Sequence, residues 1–139
     1  MTSTILLDTG PLVGFLARDS EHAGWIREQW QRLSPPMLTC EAVLTEAVFI
    51  LKREGADPDA IFELLQRKVI RVALSIDQEH ADLRRLMHRY RNLPISLADA
   101  SLVRLSELLR NSRVFTLDSD FRIYRRHGNK VIPLLIPEP

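Results

Sequence analysis

Four carboxylates stand at or close to the points where short apolar runs give way to segments of helical period. Asp8 follows Ile5-Leu6-Leu7, Glu46 sits in Leu44-Thr45-Glu46-Ala47, Asp99 in Leu97-Ala98-Asp99-Ala100, and Asp118 follows Val114-Phe115-Thr116-Leu117. Acids gathered in one place repel and raise one another's pKa values, so such a group is costly unless a cation meets it. The donors are all hard oxygens, which selects Mg²⁺ or Mn²⁺ over Zn²⁺. His22, His80, His88 and His127 are scattered without ligand spacing, and a single cysteine, Cys40, excludes an internal disulfide and a cysteine-based zinc site.

Each acid also has a structural explanation. Asp8 and Asp118 suit helix caps, and Ser96 with Asp99 three residues later matches a capping box near the positive end of a helix dipole. Glu46 fits that explanation less well. Ala42, Phe49 and Ile50 stand at its i−4, i+3 and i+4 positions, which puts it on or near an inward face where an uncompensated charge is expensive.

The elements that must position these acids alternate between β-branched apolar runs and helical stretches, the pattern of βα units around a parallel sheet. Strands are expected at Thr4 to Asp8, Met37 to Cys40, Ile70 to Ile76, Val114 to Leu117 and Val131 to Leu135. Helices are expected at Pro11 to Arg18, Glu21 to Leu33, Glu41 to Glu54, Pro58 to Lys68, Gln78 to Arg91 and Leu97 to Arg110, with a short one at Ser119 to Arg126. Pro11 and Pro58 suit first-turn positions, Gly55 a helix end and Ser96 an N-cap. In open α/β sheets ligands bind beyond the carboxyl ends of the strands. Asp8 and Asp118, each closing a strand, should therefore point into one crevice.

At 139 residues, with 45% hydrophobic and 27% charged side chains, the chain has the size and composition of one ordinary globular domain, residues 1–139. No apolar stretch approaches the ~20 residues needed to cross a bilayer, and Met-Thr-Ser-Thr-Ile-Leu-Leu offers no signal-peptide pattern, so the expected location is cytoplasmic. The formal net charge of +1 conceals an asymmetry. From Asp82 to Lys130 there are eleven lysines and arginines against Asp82, Asp99, Glu107, Asp118 and Asp120. With several of those acids committed to a metal, the remaining surface would be basic and suited to a polyanion.

The motifs resemble those of the PIN-domain family, and in particular the VapC-like toxin nucleases of toxin–antitoxin pairs. Leu6-Leu7-Asp8-Thr9 with Pro11-Leu12-Val13 is similar to the first acidic motif, and Leu44-Thr45-Glu46-Ala47 to the second. Leu97-Ala98-Asp99-Ala100, preceded by Tyr90 and Leu93-Pro94-Ile95-Ser96, resembles the third, and Thr116-Leu117-Asp118-Ser119-Asp120-Phe121 the fourth. Gly10 departs from the pattern, standing where relatives often carry a hydroxyl or amide. The resemblance implies a three-layer α/β/α sandwich with a parallel five-stranded sheet of order 3-2-1-4-5, and endonucleolytic cleavage of RNA. It implies further that Asp8, Glu46, Asp99 and Asp118 hold one or two Mg²⁺ or Mn²⁺ ions, with Thr116 supporting them by hydrogen bonds and Asp120 as a secondary contributor. Arg125 and Arg126, in the short helix after Asp118, are the residues expected to hold the RNA backbone. A homodimer and an antitoxin partner belong to the same expectation.

Two other Mg²⁺-using architectures fit less well. A haloacid-dehalogenase phosphatase needs a second Asp two residues after the first, where this chain has Gly10, and a receiver domain needs a Lys after the last strand, whereas Lys130 precedes it. An RNA-processing nuclease outside any toxin–antitoxin pair, and a PIN fold that only binds RNA or protein, remain as alternatives. Acids at all four positions weigh against the pure binder.

Overall fold

A computed structural model describes residues 3–17 and 21–139. Its sheet has β1 (Thr4–Leu7) at the centre, flanked by β2 (Met37–Thr39) and β4 (Ser112–Phe115). β3 (Ile70–Val72) and β7 (Leu134–Leu135) form the two edges, giving the order β3-β2-β1-β4-β7 with every pairing parallel. This is the α/β/α sandwich and strand order that the resemblance implies, β7 being the fifth strand of the sheet. Leu6 and Leu7 are wholly buried, as a central parallel strand covered on both faces requires.

The helices are α1 (Thr9–Ala17), α2 (Ala23–Arg32), α3 (Glu41–Arg53), α4 (Asp59–Gln66), α5 (Ile76–Arg89) and α6 (Leu97–Leu108). Their ends lie within two residues of those expected, and Arg18, expected to end the first, falls outside the described residues. α6 is buried almost all round, with Ala98, Ala100, Ser101 and Ser106 letting neighbouring elements approach closely. α3 buries only the stripe Val43, Ala47 and Leu51. On one side of the sheet Trp25 lies edge-on to Phe115, while Trp30 stacks on Phe15 at 3.9 Å.

Three expected elements need correction. The strand expected at Ile70 to Ile76 stops at Val72, because Ser75 accepts a hydrogen bond from the Gln78 amide and caps α5 from its first residue, Ile76. The helix expected over Ser119 to Arg126 is a 3₁₀ turn, Ser119–Arg122, after which Arg125–Arg126 becomes a strand, β5. The strand expected over Val131 to Leu135 is broken by Pro133. Its first part, β6 (Lys130–Val131), pairs antiparallel with β5 around a turn with positive φ at His127 and Gly128, and only its last two residues join the sheet. Among the described residues, no helix is long and apolar enough to cross a membrane.

Candidate functional site

Asp8 is the first residue beyond the central strand, with 6% of its surface exposed. Its Oδ1 accepts from the Thr9 amide at 2.8 Å and its Oδ2 from the Thr116 hydroxyl at 2.6 Å. The Thr116 oxygen in turn accepts from the Asp118 amide at 2.9 Å. One buried hydroxyl thus ties the end of β1 to the chain leaving β4. The hydrogen bond expected of Thr116 is present.

Asp99 is both a cap and a member of this group. The Ser96 hydroxyl accepts from the Asp99 amide at 3.0 Å while Asp99 Oδ2 accepts from the Ser96 amide at 3.3 Å, a complete capping box. The same Oδ2 accepts from the hydroxyl of Tyr124 at 3.1 Å. Glu46 is half-buried and accepts from the Thr9 hydroxyl at 2.8 Å. Its surroundings are wetter than the sequence suggests, because Phe49, one turn on, points to solvent with 64% exposure. Asp118 is exposed and caps the 3₁₀ turn, its Oδ1 accepting from the Asp120 amide.

The four acids come from four separate parts of the chain and line one cleft of about 290 Å³, together with Thr9, Gly10 and Leu117. Asp120 does not line it; its amide holds Asp118 instead. A side chain at Gly10 would meet Leu117, since a Cβ there would lie 3.2 Å from that residue. Leucine thus fills the space beside the position where relatives often carry a polar group.

Burial pushes Asp8 up to about 7, against the opposing bonds from Thr116 and Thr9, and the charges of Asp99 and Asp118 push the same way. Asp99 is also raised, first by burial and then, in spite of its bonds from Ser96 and Tyr124, by the charges of Asp118 and Glu46. Asp8 thus feels Asp99 and Asp118, and Asp99 feels Asp118 and Glu46. Burial lifts the Cys40 thiol to about 11, which leaves no thiolate nucleophile at the end of β2.

The donor set fits a hard divalent cation in kind, being all carboxylate oxygen with hydroxyl support. Among the described residues, however, no three Asp, Glu, His or Cys side chains are grouped to hold a metal ion as they stand.

Arg125 and Arg126 do not stand in a helix bordering the cleft, and neither lines it. Arg125 folds back onto the carbonyls of Arg122, Ile123 and Tyr124, and Arg126 donates to the Ser106 carbonyl at 2.9 Å. Part of the basic excess is internally matched as well. Arg85 and Arg104 meet Glu79, Asp82 and the buried Glu107, which also accepts from the His127 amide and so fastens the β5–β6 hairpin to α6.

Sequence reasoning missed Tyr124, which is wholly buried between Tyr90 and Phe121, with burial and the charge of Asp99 holding its hydroxyl well above the ordinary tyrosine range. It also missed the Thr9 bond to Glu46. Neither has a spacing signal, because both bonds join residues far apart in the chain.

The family model described as PIN domain matches residues 5–126. Among solved structures, Mycobacterium tuberculosis VapC20, a toxin that cleaves the Sarcin-Ricin loop, superposes with a TM-score of 0.72. The match covers 84% of this chain and 92% of that one at 19% identity, a likeness of fold. No curated protein matches in sequence.

Proposed function

This chain belongs to the PIN-domain family, and from that premise we propose that it is a divalent-metal-dependent endoribonuclease, the toxin of a toxin–antitoxin pair, built as one domain over residues 1–139. The observation that carries the reading is the convergence of Asp8, Glu46, Asp99 and Asp118 on one cleft.

In this reading those four side chains would hold Mg²⁺ or Mn²⁺, whose chemistry when bound is activation of a water and neutralisation of charge on the phosphate. The chain's own residues do the positioning. Thr116 orients the Asp8 carboxylate and anchors the Asp118 backbone with one hydroxyl. Ser96 and Tyr124 both bond Oδ2 of Asp99, which leaves Oδ1 for the cleft. Thr9 orients Glu46. Near neutral pH the buried Asp8 carries a proton for part of the time, and it gives that proton up on binding a cation.

RNA is the proposed substrate, with an antitoxin chain and a second copy of this protein as proposed partners in the cytoplasm. The RNA loop named for VapC20 is the first target to try. The test incubates purified protein with total RNA and with that loop, in Mg²⁺ or in EDTA, beside Asp8→Asn. Internal cleavage that requires the metal and disappears in the variant is the expected result. Cleavage that survives thorough chelation overturns the metal mechanism, and RNA left intact in Mg²⁺ by both proteins overturns the nuclease.

A further inference from the structure

The walls of the acid cleft present four carboxylates and three neutral residues, with no cation among them. Without a bound cation a polyanion therefore has to gain its affinity outside the cleft, where phosphates on either side of the scissile bond can be neutralised. The cleft shares Leu117 with a neighbouring hollow of about 330 Å³ that runs past Ser119 to Arg122. That hollow shares Arg122 and Ile136 with a third, of about 470 Å³, which continues beneath β6 and β7 to Arg113. The hollows share lining residues in turn, Leu117 and then Arg122 with Ile136, so the two arginines stand on surface that adjoins the acid cleft on one side.

Arg122 is exposed, and among the described residues its side chain pairs with no carboxylate. Among the described residues the Arg113 side chain donates only to the Leu134 carbonyl, at 3.4 Å, too long to hold it firmly. The acid lining these outer hollows is Glu138. The third hollow is also lined by Val131, 65% exposed, and Pro133, apolar surface against which bases can lie. A protein strand fits less well. β7 is an edge with only two residues in the ladder, bounded by Pro133 and Pro137, which makes it a poor template for adding a strand.

We infer that this surface is the path of single-stranded RNA on one side of the cleavage site, its phosphates held by Arg122 and Arg113. The inference rests on the ribonuclease reading for its substrate, but it is tested separately from cleavage. Full-length protein in EDTA is titrated with a fluorescently labelled single-stranded oligoribonucleotide at several salt concentrations. Arg122→Gln, Arg113→Gln, their double variant and a control, Arg84→Gln, on an exposed part of α5, are compared with wild type. Affinity should fall about fivefold for each of these two arginines, and the slope of log affinity against log salt should shrink by about 0.7 per lost contact, while the control matches wild type. Arg122 is exposed, so its variant keeps the fold even if Arg113→Gln does not, and circular dichroism verifies this. Arg122 and Arg113 variants that bind like wild type, or no better and no worse than Arg84→Gln, overturn the inference and leave the surface to a protein partner. Wild type that binds no RNA overturns it too. RNA binding that depends on the arginines without any Mg²⁺-dependent cleavage supports the path and removes only the nuclease.

Discussion

The ionisation of Asp8 opposes folding. Unfolded, its carboxyl titrates at the ordinary 3.8; folded, burial and neighbouring acids raise it to about 7, so the native state holds the proton longer. Stability from this group is therefore present in full below the unfolded value and is lost as pH rises from about 4 to about 7. Asp8→Asn removes the charge and keeps an acceptor for Thr9 or Thr116. In EDTA at about pH 8 it should therefore raise unfolding stability by on the order of 2 kcal/mol, with the gain fading by about pH 4. Denaturant unfolding at the two pH values checks this, and a clear loss at the higher pH would mean that Asp8 is structural first and functional second.

α6 brings Asp99 to the cleft by its first turn, so one side chain serves both the helix and the site. The two duties separate by substitution. Ser96→Ala removes one half of the capping box and should cost about 1 kcal/mol of stability, with the carboxylate of Asp99 still present and still bonded by Tyr124. Asp99→Asn keeps an oxygen for the Ser96 amide but removes a charge, so stability in EDTA should hold or rise while affinity for Mn²⁺ falls. Thermal melts paired with isothermal titration of Mn²⁺ read both effects. Equal damage to stability from the two variants would assign Asp99 to capping alone.

Across the molecule, acids from β1, α3, α6 and the end of β4 meet without a compensating cation among the cleft walls. Excess Mg²⁺ or Mn²⁺ should therefore stabilise the native state, by about 2.7 kcal/mol at a hundredfold excess over its dissociation constant. The gain should be larger at about pH 8 than at about pH 5.5, because a proton on Asp8 competes with the ion. Melting curves with and without metal at both pH values measure it. A shift that does not depend on pH, or that persists in Asp8→Asn, would place the ion elsewhere.

The amino-acid sequence by itself determined the order of the βα units along the chain and where the four acids fall relative to them, while the central place of Ile5-Leu6-Leu7 was expected only from the family resemblance. Apolar runs of β-branched and leucine residues announce strands, helical period announces the helices between them, and an acid at a strand's carboxyl end is local information. Its limits came where contacts are distant in the chain. The run after Asp118 reads as helical by period, yet Pro133, His127, Gly128 and the hold of Glu107 on the His127 amide turn it into a hairpin, so that Arg125 and Arg126 stand in a strand and do not line the cleft. Only the tertiary structure decided that Tyr124 bonds Asp99, that Thr9 bonds Glu46, and that Arg122 and Arg113, nine residues apart in sequence, line one hollow. Those pairings arise from how helices and strands close on one another, and no short-range pattern of residue types encodes them.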